Sequence, residues 1–577
     1  MATVADTVVA TLKASGISRV YGLPGDSLNG FTDALRRDGD ITWEHVRHEE
    51  NAAFAAAAEA GLTDELAVCV GSCGPGNLHL VNGLFDANRS RVPVLAIAAQ
   101  IPIAEIGSEY FQETHPQLMF KECSVYAELV SDASQLPRIL EIAMRAAVER
   151  RGVAVVVIPG DIFLRQDEAK RPIAIVRRAE PITRPSDDEL QRAAALLNGA
   201  KRVTILGGAG VAGAHDELIA LAAKLKAPIV HALRGKDRVE YDNPYDVGMT
   251  GLLGFASGYR AMLSCDVLLM LGTDFPYQQF YPEDATVIQV DIRGEHLGRR
   301  RRVDLGLVGT VKDTLDALIP LVGANSDSKH LDDSVSHYTK SRERLDDLAV
   351  NDHNRTPIHP QYVARLVDEL ADEDAVFTTD VGSPVVWACR YLTMNGKRRL
   401  LGSFNHGTMA TGVPHAIGAQ SAYPGRQVVS LSGDGGLAMG LGELLTLVQN
   451  KLPVKIVVFN NSSLNFVELE MKAAGIVTFA TDLVNPNLAE VARAIGLHGQ
   501  RVERPDDLED ALREAFAYQG PALVEVLTAR QELSIPPAIT AEQVKGFTLY
   551  AIRTVMSGRG DELVDLADTN LVRRLLK

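Results

Sequence analysis

Ten short apolar runs punctuate this chain: AVCVGS (67–72), VPVLAIAA (92–99), VAVVVIPGD (153–161), RVTILGG (202–208), APIVHAL (227–233), VLLMLGT (267–273), VIQVDI (287–292), VVSLSGDGG (428–436), KIVVFNN (455–461) and ALVEVL (522–527). Continuous Val/Ile/Leu runs with helical patterns between them are the signature of parallel sheets covered on both faces. The fold class is therefore α/β. A chain of 577 residues is too long for one hydrophobic core. Two softer stretches divide it, a charged, Pro-dotted one at 165–189 and a polar, weakly periodic one at 323–357. The expected units are 1–181, 182–334 and 335–531, each on a mostly parallel sheet, with a tail at 532–577.

Charge and composition exclude several function classes. A net charge of −16 argues against a nucleic-acid partner, which rewards basic surfaces. No stretch approaches the ~18 apolar residues of a membrane span. The N-terminal segment lacks a basic n-region and reads as a helix and then a strand. The five cysteines, Cys69, Cys73, Cys123, Cys265 and Cys389, are scattered and read as buried free thiols.

The strongest chemical signal is GDGG at 433–436, followed by NN at 460–461. The strand before it delivers Asp434 to its carboxyl end, where open α/β sheets bind ligands. Gly433 and Gly435 let the backbone approach a bound group, and a helix expected to begin near Leu437 offers free N–H groups to an anion. A second strand ends at Asn460 and Asn461, 27 residues beyond Asp434. A carboxylate and an amide oxygen from neighbouring strand ends suit a hard cation that also grips a diphosphate. Asp-Gly and Asn-Asn are ordinary turn formers; the strand–helix–strand interval lifts them above that. Elsewhere, VRHEENAAFAAAAEAG places Glu49 after a strand at the start of an Ala-rich helix. A literal G-x-G-x-x-G, Gly208 to Gly213, lacks the acidic residue expected ~20 positions on, which argues against a nicotinamide site.

The GDG…NN pattern resembles the thiamine-diphosphate-binding motif. That resemblance implies Mg²⁺ held by Asp434, Asn461 and the carbonyl of Ser463, with cofactor contacts along Asp434, Gly435, Gly436 and from Asn461 through Ser462, Ser463, Leu464 and Asn465 to Phe466. It implies Glu49 as the acid that pairs with the cofactor's pyrimidine, so that its amino group can take the C2 proton. SFNHGTMATGVPHAIGAQ matches a third element, with Gly407, Thr408 and Met409 along the pyrimidine and Met409 as the wedge that bends the cofactor. GMTGLLG, LGTDFPYQQFYP and VIQVDIRGEHLG resemble flavin-contacting loops of thiamine-dependent pyruvate oxidases and acetohydroxyacid synthases. By that likeness Thr250, Gly251, Leu252 and Leu253, then Thr273, Asp274, Phe275, Pro276 and Tyr277, and finally Asp291 line an FAD.

The likeness narrows, nearly end to end, to the bacterial membrane-associated pyruvate dehydrogenases that reduce quinones. It implies Phe111 and Gln112 at the reacting centre and a mobile Phe466, with variation at non-ligand positions in SSLNF and HGTMATGVP. It also implies oxidative decarboxylation of pyruvate to acetate, with electrons passing through FAD to a membrane quinone. The cofactor would lie between two subunits of a homotetramer. The tail from Asp561 can form an imperfect amphipathic helix with Leu563, Val564, Ala567, Leu571 and Leu575 on one side and Arg573, Arg574 and Lys577 near its end. The expectation is an anionic lipid surface as its partner, at the cytoplasmic face of the membrane. A soluble oxidase using O₂ and phosphate, or an acetohydroxyacid synthase with a non-redox FAD, would keep the same core motifs.

Overall fold

The structure, a computed structural model, describes residues 2–168, 171–353, 355–532, 545, 549–551, 553, 554, 556 and 566. Its described strands form three six-stranded sheets, each flanked by helices. The first contains β1 (Arg19–Gly22), β2 (Thr42–His45), β3 (Ala67–Gly71), β4 (Val94–Gln100), β5 (Tyr126–Leu129) and β6 (Val153–Pro159), in the order β2-β1-β3-β4-β6-β5. The second contains β7 (Val203–Gly207), β8 (Ile229–His231), β9 (Asp246–Met249), β10 (Val267–Leu271), β11 (Thr286–Asp291) and β12 (Leu305–Val308), in the order β12-β11-β10-β7-β8-β9. The third contains β13 (Val376–Thr379), β14 (Arg399–Gly402), β15 (Val428–Gly433), β16 (Lys455–Asn460), β17 (His498–Val502) and β18 (Ala522–Leu527), in the order β14-β13-β15-β16-β18-β17. Every neighbouring pair is parallel.

The first and third sheets thus share one topology, although the sequence shows no exact repeat between them. In the third, strand order reverses between β13 and β15, and in the second between β7 and β10. The crevice at such a switch point is where doubly wound sheets bind ligands. The polar stretch at 323–357 holds an 18-residue helix, Lys329–Asp346, and the boundary expected at 334/335 falls inside it. The tail expectation lies outside the described residues, apart from the isolated positions named above.

Strand residues alternate between two cores. Val68, Val70, Leu95 and Ile97 enter one, while Ala67, Cys69, Val94 and Ala96 enter the other. The second of these cores continues without a break into the third domain, taking in Val428, Ile456 and Val458. The bridge is a pair of helices, Glu49–Thr63 from the first domain and Gly412–Ala422 from the third. Their small residues let the backbones approach closely. A Cβ built on Gly418 would lie 2.0 Å from the carbonyl oxygen of Ala55. Polar contacts rim this seam. The buried Glu443 accepts hydrogen bonds from the Arg47 N–H at 3.0 Å and the Asn51 side chain at 2.9 Å. Ser403 donates to Asp86 at 2.6 Å.

Gly418→Ala should therefore lower the melting temperature. The overpacking cost, about 2 kcal/mol or more, exceeds the ~1 kcal/mol that alanine gains over glycine in a helix. Gly425→Ala, at an exposed turn with nothing within 4 Å of the added carbon, is the control that should leave the melt in place. Equal melting temperatures for the two variants would refute the close crossing.

Candidate active site

At the third sheet's switch point, β13 leads into Asp380 and β15 into Asp434. The helix expected to begin near Leu437 instead starts at Asp434 and runs only to Met439. The glycines serve packing as well as access. A Cβ on Gly436 would sit 2.4 Å from Asp380 Oδ2, and one on Gly435 would crowd Leu464 at 2.9 Å and Met409 Cε at 3.3 Å. Gly435 and Leu464, from the GDG…NN pattern, and Met409, from a separate motif, thus converge. Asp380, fully enclosed, accepts the Gly412 N–H at 2.8 Å. Burial pushes its carboxyl up to about 6 against those backbone hydrogen bonds.

Asp434 is 3% exposed and accepts the Asn485 amide at 2.7 Å. The same amide reaches Asn460 Oδ1 at 3.1 Å. Burial raises the Asp434 carboxyl above its ordinary value, and the hydrogen bond from Asn485 opposes that rise. Beyond β16, Ser463 donates its N–H to Asn461 Oδ1 at 3.1 Å, and Ser462 adopts a left-handed φ of 54°. The 462–464 segment pairs with 481–483: Leu464 N–H donates to Thr481 at 2.8 Å and Leu483 N–H to Ser462 at 2.9 Å. A buried carboxylate, an amide oxygen and backbone carbonyls offer oxygen donors only. That set fits a hard divalent cation.

In the first domain Glu49 opens its helix as expected, capped by the His48 side chain, and is 4% exposed. Its Oε2 meets His79 Nδ1 at 2.9 Å, and His79 stacks on His48 with centroids 4.2 Å apart. His79 was invisible to motif reading. The Gly-rich turn after β3 wraps this acid: a Cβ on Gly76 would lie 3.0 Å from Glu49 Oε1, and one on Gly74 would lie 2.8 Å from Gln112 O. Gln112 adopts φ 63° and accepts from Cys73 Sγ at 3.3 Å, while Phe111 is 77% exposed. Asn82, one turn beyond His79, donates to Glu50 at 2.5 Å and to Thr408 Oγ1 at 3.1 Å, and its Oδ1 accepts from His406 Nε2 at 2.8 Å. One amide thus ties the first domain to the 406–409 segment. Gly407, at φ 82°, has open space beside its α-carbon. Phe466 lies in the first turn of the helix Asn465–Ala473 and packs on the third-domain core.

The second-domain segments also gather at strand ends. Asp291, buried at the end of β11, accepts the Arg293 N–H at 2.9 Å. Thr250 is buried, and its hydroxyl has no partner among the described residues. Phe275 packs edge-on against Tyr277, and Gly251 adopts φ 99° beside the Phe275 ring. Thr273 is buried after β10, with Pro276 in the following turn and Leu252 exposed. Asp274 is held by Arg300 at 2.9 Å and Arg91 at 3.4 Å. Leu253 turns toward the third domain, where its carbonyl accepts from Arg390 at 3.2 Å. Gly208 and Gly210 close on Thr273 and Gly272, with built Cβ atoms 2.6 Å from each, which explains the G-x-G spacing by backbone packing. All five cysteines are buried and free.

Sequence comparison matches three profiles in order: the thiamine pyrophosphate enzyme N-terminal TPP binding domain over 2–119, the central domain over 190–318 and the C-terminal TPP binding domain over 380–526. The putative thiamine pyrophosphate-containing protein YdaP of Bacillus subtilis is 36% identical over 98% of this chain and 98% of its own length. The pyruvate oxidase of Lactiplantibacillus plantarum is 31% identical over 90% of this chain and 87% of its own. The acetolactate synthase isozyme 2 large subunit of Escherichia coli K12 is 33% identical over 90% and 95%.

Asp434→Ala and Asn461→Ala should each weaken thiamine pyrophosphate binding, measured by calorimetry with saturating Mg²⁺, by at least ~10-fold, the usual scale for a lost ligand or its support. The melting temperature of the unliganded protein should move little. Unchanged affinity in both variants would remove these residues from the site.

Proposed function

The chain belongs to the thiamine pyrophosphate enzymes, and from that premise we propose that it is a peripheral-membrane pyruvate:quinone oxidoreductase. Pyruvate, water and a quinone would give acetate, CO₂ and the quinol. The reading is supported by the presence, in one chain, of the Asp434–Asn461–Ser463 oxygen set and of three second-domain loops at the carboxyl ends of β9, β10 and β11. Relatives named as pyruvate oxidase and acetolactate synthase, each about 30% identical, agree with a pyruvate-like substrate.

In this reading Asp434, Asn461 and the Ser463 carbonyl would hold Mg²⁺, which would neutralise the diphosphate charge. Glu49, fixed by His79 and walled by the Gly74–Gly76 turn, holds the proton it shares with the pyrimidine at its own carboxylate, away from water. Phe111 and Gln112, on the 110–113 segment that packs against Gly74, would reach the substrate. Asp291 accepts a ribose hydroxyl of FAD, and the spare Thr250 hydroxyl offers that cofactor a further hydrogen bond. When bound, thiamine diphosphate supplies the electron sink for loss of CO₂, and FAD accepts the two electrons. The site would be completed by a second subunit of a homotetramer.

The choice of acceptor rests on the tail sequence. No helix among the described residues is long and apolar enough to cross a membrane. The tail's leucines and its terminal Arg573, Arg574 and Lys577 suit an anionic lipid surface at the cytoplasmic face of the membrane, at about 1 kcal/mol per cation. Deletion of the residues after Gly558 should abolish sedimentation with anionic liposomes and turnover of lipid-embedded quinone, yet spare reduction of a soluble dye by pyruvate. Quinone turnover at full rate without the tail would contradict the proposal. Acetolactate as the main product, or turnover that needs O₂ and phosphate, would replace it with one of the two soluble alternatives.

A further inference from the structure

Behind the expected cation ligands lies a set of charges that no motif announced. Glu468 and Lys472, on the helix Asn465–Ala473, are both fully buried. Glu468 Oε1 accepts from Lys472 at 2.7 Å, and Oε2 accepts from Ser463 Oγ at 2.6 Å and from Arg530 Nε at 2.9 Å. Arg530 follows β18 and reaches in the other direction to Asp482 at 2.6 Å. Asp482 pairs through its backbone with Ser463, in an isolated antiparallel bridge. The carbonyl of Arg530 accepts from Asn465 at 2.6 Å, and Asn465 in turn meets Ser383 at 3.3 Å.

Such a cluster is costly to assemble. Buried ion pairs seldom stabilise a fold more than an apolar replacement of the same volume, whereas removing one partner strands the other charge. What this cluster adds is geometry. Ser463 is gripped by its side chain through Glu468 and by its backbone through Asp482, and Arg530 joins the two grips. Between Asn461 and Ser463 sits Ser462, a non-glycine residue at positive φ, a conformation that persists only where surroundings over-determine it.

We propose that Glu468 and Arg530 are positioning residues that lock the 461–465 loop so that the Asn461 side chain and the Ser463 carbonyl face the cofactor-bound cation. The proposal rests on the cation-site reading given above. Lys472 bonds Glu468 from its own helix and also meets Gln531, next to Arg530, so it belongs to the same cluster.

The test compares Glu468→Gln, Arg530→Gln, Asp482→Asn and Lys472→Met by thermal melting without cofactor and by calorimetric titration with thiamine diphosphate at varied Mg²⁺. Glu468→Gln and Arg530→Gln should weaken binding by ~10-fold or more and raise the Mg²⁺ needed for half-saturation, the scale seen when support behind a metal ligand is lost. Lys472→Met, which removes the cation paired with Glu468, should lower the melting temperature and weaken binding in the same direction. Asp482→Asn changes an exposed carboxylate and keeps the test alive should Glu468→Gln fail to fold; it should weaken binding in the same direction. Wild-type affinity in Arg530→Gln together with Asp482→Asn, or in a folded Glu468→Gln, overturns the proposal. A wild-type protein that binds thiamine diphosphate without any Mg²⁺ dependence overturns the cation-site reading beneath it.

Discussion

The contact between Gly418 and the backbone of Ala55 fixes the distance between the first and third domains. No side chain intervenes at that point, so the spacing is set by backbone atoms and not by rotamers, which makes it stiff. Both helices of the crossing begin at residues of the proposed site. Glu49 is the first residue of one, and the Gly407–Met409 segment runs into the start of the other. Asn82 adds a polar tie between the same two regions. The Ala-rich composition that looks featureless in the sequence is thus what lets an acid and a ligand loop share one rigid frame.

Four buried carboxylates in the third domain show how their surroundings divide their roles. Asp380 and Glu443 are raised by burial and serve as acceptors for N–H groups that brace turns and the domain seam. Burial also pushes Glu468 upward, but Lys472 and Arg530 outweigh it and hold that carboxyl low. Asp434 is raised by burial, and the side chain hydrogen-bonded to it is a neutral amide. A cation against Asp434 would do there what Lys472 does for Glu468. This is the physical reason that the GDG aspartate suits a metal-bound diphosphate.

All ten apolar runs in the sequence are strands, because burial on both faces demands continuous apolar side chains. The eight strands without such a run include all six sheet edges, β2, β5, β9, β12, β14 and β17, where one flank lacks a strand neighbour and composition relaxes. Asp434 and Asn461 stood out as candidates because a cation site would need particular residue types at strand ends. Their supports did not, since each acts across a long interval: Asn485 lies 51 residues from Asp434, His79 lies 30 from Glu49, and Arg530 lies 62 from Glu468. Contacts of that kind follow no local period, and they exist only once the sheets are assembled. The matching topology of the first and third sheets was hidden for the same reason, since strand order tolerates wide change in sequence.

The most direct test follows the C2 proton of thiamine diphosphate bound to the protein, by its exchange with deuterium in rapid-quench NMR. The wild-type protein should exchange it rapidly, and Glu49→Gln should slow the exchange by at least ~10²-fold, the scale of lost acid–base assistance, with cofactor affinity nearly unchanged. Exchange at the wild-type rate in Glu49→Gln would contradict the assignment of Glu49 as the acid held by His79.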